Sequence, residues 1–199
     1  MGSGGRYHPA HMVRGLGRVL IDRERIASRV REMGLQLSSE LEAELARDGA
    51  DPSNHADRIV LLPILAGALV FTADLIREMP LRLSMRMVTV SSYAGQATTS
   101  RGAAFRGALP QDLGGRHVVV IDDILDSGQT LALVKGLVLQ QNPASLRLCV
   151  LLDKQVARKA DIHANLVGFQ IPDEFVVGYG LDYDGYYRNL PEIRVLEVG

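Results

Sequence analysis

Three carboxylates, two hydroxyls and a glycine fall within one short stretch, Asp122-Asp123-Ile124-Leu125-Asp126-Ser127-Gly128-Gln129-Thr130. The β-branched run Val118-Val119-Val120-Ile121 before it reads as a strand buried on both faces, as in a parallel sheet, ending at the acidic pair. The apolar run Leu131 to Gln140 after it reads as a helix. A strand, a short loop rich in hydroxyls and glycine, and a helix N-terminus together make an anion site. Unpaired backbone N–H groups and the helix dipole point into the loop. Gly128 lets the backbone approach a ligand, while Ser127 and Thr130 add hydroxyl donors. Acids crowded around such a cradle repel a phosphate unless a metal or a polyol uses them. The chemistry implied is a phosphorylated sugar bound with Mg²⁺.

Other uses of an acidic pair fit less well. Phospho-acceptor receiver domains also close a strand with two aspartates, but early in the chain, and the cradle after them would have no purpose. Isoprenoid synthases bind Mg²⁺ through a DDxxD pattern on long helices, whereas this one follows a valine strand. An acidic loop whose Asp126 merely caps a helix leaves Asp122 and Asp123 unexplained.

The elements that position this stretch can be read along the chain. Residues 1–14 are glycine-rich and polar and read as a flexible tail, and residues 15–199 as a single domain. From Asp22 to Arg47, apolar Ile26, Val30, Met33, Leu37, Leu41 and Leu45 recur every three or four positions. This predicts an amphipathic helix capped by Asp22, with Gly34 marking a kink. Residues 48–57 read as a loop. Ile59 to Leu65 is a second buried strand, in which Pro63 sits awkwardly because it cannot donate to a ladder. It leads through Ala66-Gly67-Ala68 into a helix reaching about Met79, a second strand–glycine–helix junction. Leu81 to Ser91 reads as one strand. Ser92 to Pro110 is small, polar and poor in apolar anchors, which suits a lid loop. Ser145 to Leu152, Asn165 to Phe169, Phe175 to Tyr179 and Ile193 to Val198 complete the strand-like runs. Alternating strands and helices predict an α/β fold, Rossmann-like, with a central mainly parallel sheet flanked by helices and ligands at the carboxyl ends of its strands.

Composition narrows the function classes. An apolar fraction of 47% with net charge −1 marks an ordinary globular protein and argues against nucleic acid as main partner. The lone Cys149 lies in an apolar run, excludes an internal disulfide framework and reads as a buried core thiol. No apolar stretch is long enough to span a membrane and no signal peptide opens the chain, so a cytoplasmic location is expected.

With these pieces placed, the sequence resembles the type I phosphoribosyltransferases, and within them the hypoxanthine-guanine branch. VVVIDDILDSGQT resembles the family's motif for phosphoribosyl pyrophosphate (PRPP). LLDK followed by GFQIPDEFVVGYGLDYDGYYRNLP resembles the purine-binding hood, and the lid signature Ser92-Tyr93 also matches. The likeness runs from about residue 16 to 196. It implies a hood subdomain built mainly from residues 153–199 with the N-terminal segment. It also implies Mg²⁺-dependent purine salvage, in which PRPP and hypoxanthine or guanine give IMP or GMP and pyrophosphate, in a homodimer or homotetramer.

The resemblance also implies residue roles. Asp122 and Asp123 hold the ribose hydroxyls and support the metal, with Asp182 at a second metal site. Asp126 is the general base at purine N7, in a 5′-phosphate loop that runs to Thr130 through Ser127, Gly128 and Gln129. Lys154 donates to the purine 6-oxo group, Phe175 stacks on the base, and the Val176 backbone meets its edge. Leu65-Ala66-Gly67 binds pyrophosphate through backbone amides, often with a non-proline cis peptide, and Arg188 is a pyrophosphate ligand. Two departures stand out: Ala66 replaces a family Lys or Arg, and Asp122 replaces the commoner glutamate. Two rival readings remain: a regulator that keeps the fold but binds RNA, which the net charge of −1 and the lack of a lysine cluster speak against, and a relative preferring xanthine.

Overall fold

The computed structural model describes residues 13–49, 57–91, 104–105 and 109–198. The elements run β1 (Val13–Ile21), α1 (Arg23–Arg47), β2 (Ile59–Leu65), α2 (Leu69–Leu75) with a 3-10 turn Ile76–Glu78, β3 (Ser84–Met85), β4 (Val88–Ser91) and β5 (Ala104–Phe105). After these come β6 (His117–Leu125), α3 (Gln129–Leu139), β7 (Ser145–Lys154), β8 (Leu166–Ile171), β9 (Val176–Val177) and β10 (Ile193–Val198). Strands β5-β4-β2-β6-β7-β8 form the main sheet in that order, with β3 also paired to β2. All its pairings are parallel except β4 with β5. A separate three-stranded antiparallel sheet, β1-β10-β9, joins the two ends of the chain.

The main sheet is buried on both faces, which is why its strands read as continuous apolar runs rather than alternating ones. Side chains still alternate in direction along each strand. Ile59, Leu61, Val119, Ile121, Cys149 and Leu151 turn towards α1 and α2, whereas Val60, Leu62, Val118, Val120, Leu148 and Val150 turn towards α3. The expected stripe of α1, from Ile26 to Leu45, is buried in the first of these clusters. Truncating a residue such as Leu41 to alanine there costs about 2–5 kcal/mol.

The Asp22 cap is borne out: its carboxylate accepts from the Arg25 N–H at 2.8 Å. Gly34 does not interrupt the helix. The helix runs unbroken from Arg23 to Arg47, and a Cβ at Gly34 would meet Glu78 Cβ at 2.7 Å. The glycine is there because the 3-10 turn approaches the helix closely. Leu81 to Ser91 also differs from expectation, forming two short strands broken at Arg86-Met87. That break accommodates Pro63. Leu61 accepts from the Arg86 N–H on the β3–β4 side, and Pro63, two residues on, turns its missing donor the same way.

A polar cluster fastens α1 to the starting ends of β6 and β7. Glu44 accepts from Arg147 and from Ser145 Oγ (2.6 Å), and the buried His117 ring lies 3.2 Å from Glu44 and 3.2 Å from Asp48. It closes the end of the strands opposite the acidic loop.

Candidate active site

β6 does not stop at the acidic pair. It stays paired to β7 through Leu125, opposite Asp153, so Asp122 and Asp123 are held by ladder geometry rather than by a loop. Asp122 is 7% exposed and accepts from the Asp123 N–H at 3.1 Å; half-buried Asp123 accepts from the Ile124 N–H at 2.8 Å. Burial pushes the Asp122 carboxyl well above the usual carboxylate range, and the charge of Asp123 pushes it further. Burial raises Asp123 as well, opposed by its hydrogen bonds and by the Arg188 guanidinium. Among the described residues, no ion pair is formed by either carboxylate. Two adjacent acids, one buried and one half-buried, without a bonded counter-charge can hold a cation.

After β6 the chain passes Asp126 and Ser127 and turns at Gly128, whose φ of 78° is left-handed, to start α3 at Gln129. A Cβ at Gly128 would meet Ile162 Cγ2 at 2.6 Å, so both conformation and space require glycine. Facing this turn is the Leu65-Ala66-Gly67 junction after β2, whose Leu65–Ala66 peptide is cis. Asp122, Asp123, Asp126, Ser127, Gly128, Thr130, Leu65 and Gly67 line one cavity of about 340 Å³.

A second, smaller cavity of about 190 Å³ opens beside it. Its lining includes Lys154, Phe175, Val176, Glu174 and Asp182, and it shares Asp123, Ile124 and Asp126 with the first. Lys154 ends β7 with its side chain 13% exposed and its Nζ 2.9 Å from an Asp173 oxygen, so this is no freely solvated lysine. The Phe175 ring is 44% exposed and is met edge-on by Tyr183, centroids 5.5 Å apart and planes at 86°. The partly exposed ring lines the smaller cavity. Asp182 binds Arg188 Nη2 at 2.7 Å and accepts from the Gly185 N–H at 2.8 Å; Arg188 also donates to the Gly180 carbonyl at 2.5 Å.

The small sheet is locked to the glycine junction. Gly180, at φ 103°, stands so close to the Gly67 carbonyl that a Cβ there would overlap it. Most of the residues singled out in the sequence line the two cavities; Ala66 sits in the junction beside the larger one, and Arg188 lines a separate cavity while holding Asp182. Gln129 is exposed at the start of α3, while Ser92 and Tyr93 lie outside the described residues. Sequence reasoning passed over Glu174, which lines the smaller cavity while Arg18 of β1 grips it at 2.7 and 2.8 Å. It also passed over the buried pair of Asp153 and Arg158, in the loop that meets the Asp126–Thr130 turn.

A parallel α/β sheet with an acidic strand end, an anion cradle and an adjoining aromatic-walled cavity describes a transferase of phosphoribosyl groups. The family model for the phosphoribosyl transferase domain matches residues 34–184, and the chain belongs to that family. It is 40% identical over 187 residues to hypoxanthine-guanine phosphoribosyltransferase of Bacillus subtilis, covering 94% of this chain and 96% of the relative. Against the hypoxanthine-guanine phosphoribosyltransferase of Mycobacterium tuberculosis it is 37% identical, covering 90% and 85%. Among solved structures it superimposes on a hypoxanthine-guanine phosphoribosyltransferase of Bacillus anthracis with TM-score 0.78 at 36% identity, covering 92% of this chain and 99% of the other. The hypoxanthine phosphoribosyltransferase of Trypanosoma cruzi gives 0.80 at 33% identity, covering 92% and 96%. The resemblance read from the sequence and the expected fold class are both borne out.

Proposed function

We propose that this protein transfers the 5-phosphoribosyl group of PRPP to N9 of hypoxanthine or guanine, releasing pyrophosphate and forming IMP or GMP in purine salvage. The observation that carries this reading is the pair of cavities sharing Asp123, Ile124 and Asp126. One has the chemistry for a phosphorylated ribose and the other for a flat base, and they meet where a bond between the two would form.

In the larger cavity, the amides of the Asp126–Thr130 turn and the N-terminus of α3 receive the 5′-phosphate. Asp122 and Asp123 take the ribose hydroxyls. The amides of the Leu65–Gly67 junction receive the pyrophosphate, with Arg188, whose charge already acts on Asp123, as a further ligand. In the smaller cavity, Phe175 stacks on the purine, the Val176 backbone meets its edge, and Lys154 donates to its 6-oxo group. Lys154 then shares its donors between the base and Asp173. The bond from C1′ to pyrophosphate breaks, the bond from C1′ to N9 forms, and the purine proton passes from N7 to Asp126.

Mg²⁺ fits the acidic pair. Among the described residues no cluster of three or more potential ligands would cage a metal, and Mg²⁺ is commonly held by one or two carboxylates with substrate oxygens completing the shell. When bound, it neutralises charge on the departing pyrophosphate. Asp182, proposed for a second metal site, must first give up Arg188, its partner here.

The β1-β10-β9 sheet and residues 153–192 serve as the hood over the base, within one domain that starts at about residue 15. A homodimer or homotetramer in the cytoplasm is the expected setting. Among the described residues no helix is long and apolar enough to cross a membrane. The test is product identity: incubated with PRPP, Mg²⁺ and hypoxanthine, the protein should release pyrophosphate and IMP in equal amounts. Pyrophosphate release without nucleotide overturns the reading.

A further inference from the structure

We infer that Arg158, through its buried pair with Asp153, is a positioning residue for the 5′-phosphate turn. The inference rests on the reading of Asp126–Thr130 as the cradle for that phosphate. Neither Arg158 nor Asp153 lines either cavity read as the substrate site; Arg158 lines a separate cavity formed by Lys154 and the loop after it. Their side chains are nonetheless only 16% and 12% exposed, and Arg158 Nη2 is bonded to Asp153 Oδ1.

The pair closes a loop that leaves β7 and folds back to the turn. Arg158 Nη1 donates to the Ile162 carbonyl at 3.1 Å, and so ties the far side of the loop to its near side. The loop then meets the turn at two successive residues. The N–H groups of Lys159 and Ala160 both donate to the Ser127 carbonyl, at 3.1 and 3.3 Å, and Ile162 fills the space beside Gly128 that a Cβ would need. Ser127 thus has its carbonyl turned towards the loop, and the trans peptide turns the Gly128 N–H the opposite way. A desolvated ion pair is a weak source of stability. What it supplies here is a fixed distance between the end of β7 and the loop that carries the turn.

Comparison of IMP with inosine tests this, because the two ligands differ only by the 5′-phosphate. Dissociation constants would be measured by calorimetry or by competition for wild type, Arg158→Gln, Arg158→Lys and Asp153→Asn, with melting curves for each. Wild type should prefer IMP. Arg158→Gln and Asp153→Asn should weaken IMP by about tenfold, the worth of one well-placed hydrogen bond, and leave inosine unchanged. Arg158→Lys keeps a positive charge beside Asp153 but cannot also reach the Ile162 carbonyl, and should fall between. Parallel loss of both ligands, or an unchanged ratio, overturns the inference, because a merely structural pair would not single out the phosphate. Should Arg158→Gln fail to fold, Arg158→Lys and Asp153→Asn carry the same ratio test. Equal binding of IMP and inosine by wild type would contradict the cradle itself, and the inference would fall with it.

Discussion

The Asp123 carboxylate occupies the space in which a side chain at Gly67 would have to stand: a Cβ built there overlaps the carboxylate outright. The acidic end of β6 and the junction after β2 are therefore in contact without any side chain between them. The cavity of about 340 Å³ beside this contact is walled by the junction on one side and by the carboxylates on the other.

Gly67→Ala should accordingly displace Asp123 while leaving the core intact. A misplacement of about 1 Å at a reacting centre can cost on the order of 10²-fold in rate. The expected outcome is a fall in kcat/KM for PRPP of that order, with a melting temperature close to wild type. An active Gly67→Ala enzyme would mean that the contact has no bearing on substrate.

Asp126→Asn removes the proposed proton acceptor, which lines both cavities, but keeps the shape of the side chain. General acid–base help is typically worth about 10²–10⁴-fold, and single-turnover rates are the readout because product release can mask chemistry. PRPP binding should be retained. A loss below about tenfold with hypoxanthine would remove Asp126 from the role, being under the usual range for such groups.

Lys154→Ala should raise KM for hypoxanthine and guanine far more than KM for PRPP, and should narrow the preference over adenine. Adenine presents an amino donor where the 6-oxo group would be. Two donors face to face each lose a partner at a cost of about 1–3 kcal/mol. Unchanged KM values for both 6-oxopurines would reduce the lysine to the partner of Asp173 seen in the structure.

Cys149 supplies a pH-dependent check on the core. Burial pushes its thiol from 9.0 up to about 12, so it stays protonated in the folded protein at pH 8. Iodoacetamide should leave it untouched until the chain unfolds. The folded-state value is raised, so its contribution to stability is complete below about pH 9 and is lost as pH rises towards 12. Rapid native alkylation at pH 8 would show the sheet to be open at β7.

The legible parts of this fold were those written in local pattern. The stripe of α1, the apolar runs of β2, β6 and β7, and the cap at Asp22 each declare themselves within a few residues. The acidic turn was legible for the same reason, since its residues are consecutive. What escaped was set by distant partners. β6 continues through Asp122 and Asp123 because β7 stays alongside it, and carboxylates are poor advertisements for a strand. Gly34 looked like a kink because Glu78, which needs its space, lies far along the chain. The Asp153–Arg158 and Arg18–Glu174 pairs consist of ordinary charged residues whose meaning appears only when the loops close on each other. Ala66 and the shorter Asp122 could be noted as departures, while the structure places both at the larger cavity or its entrance junction.

The most direct test of the account is the steady-state rate with PRPP and Mg²⁺ for each of hypoxanthine, guanine, xanthine and adenine. The two cavities and the donor at Lys154 predict efficient nucleotide formation from hypoxanthine or guanine and poor turnover of adenine. Adenine used as well as the 6-oxopurines, or no PRPP-dependent nucleotide from hypoxanthine and guanine, would contradict it.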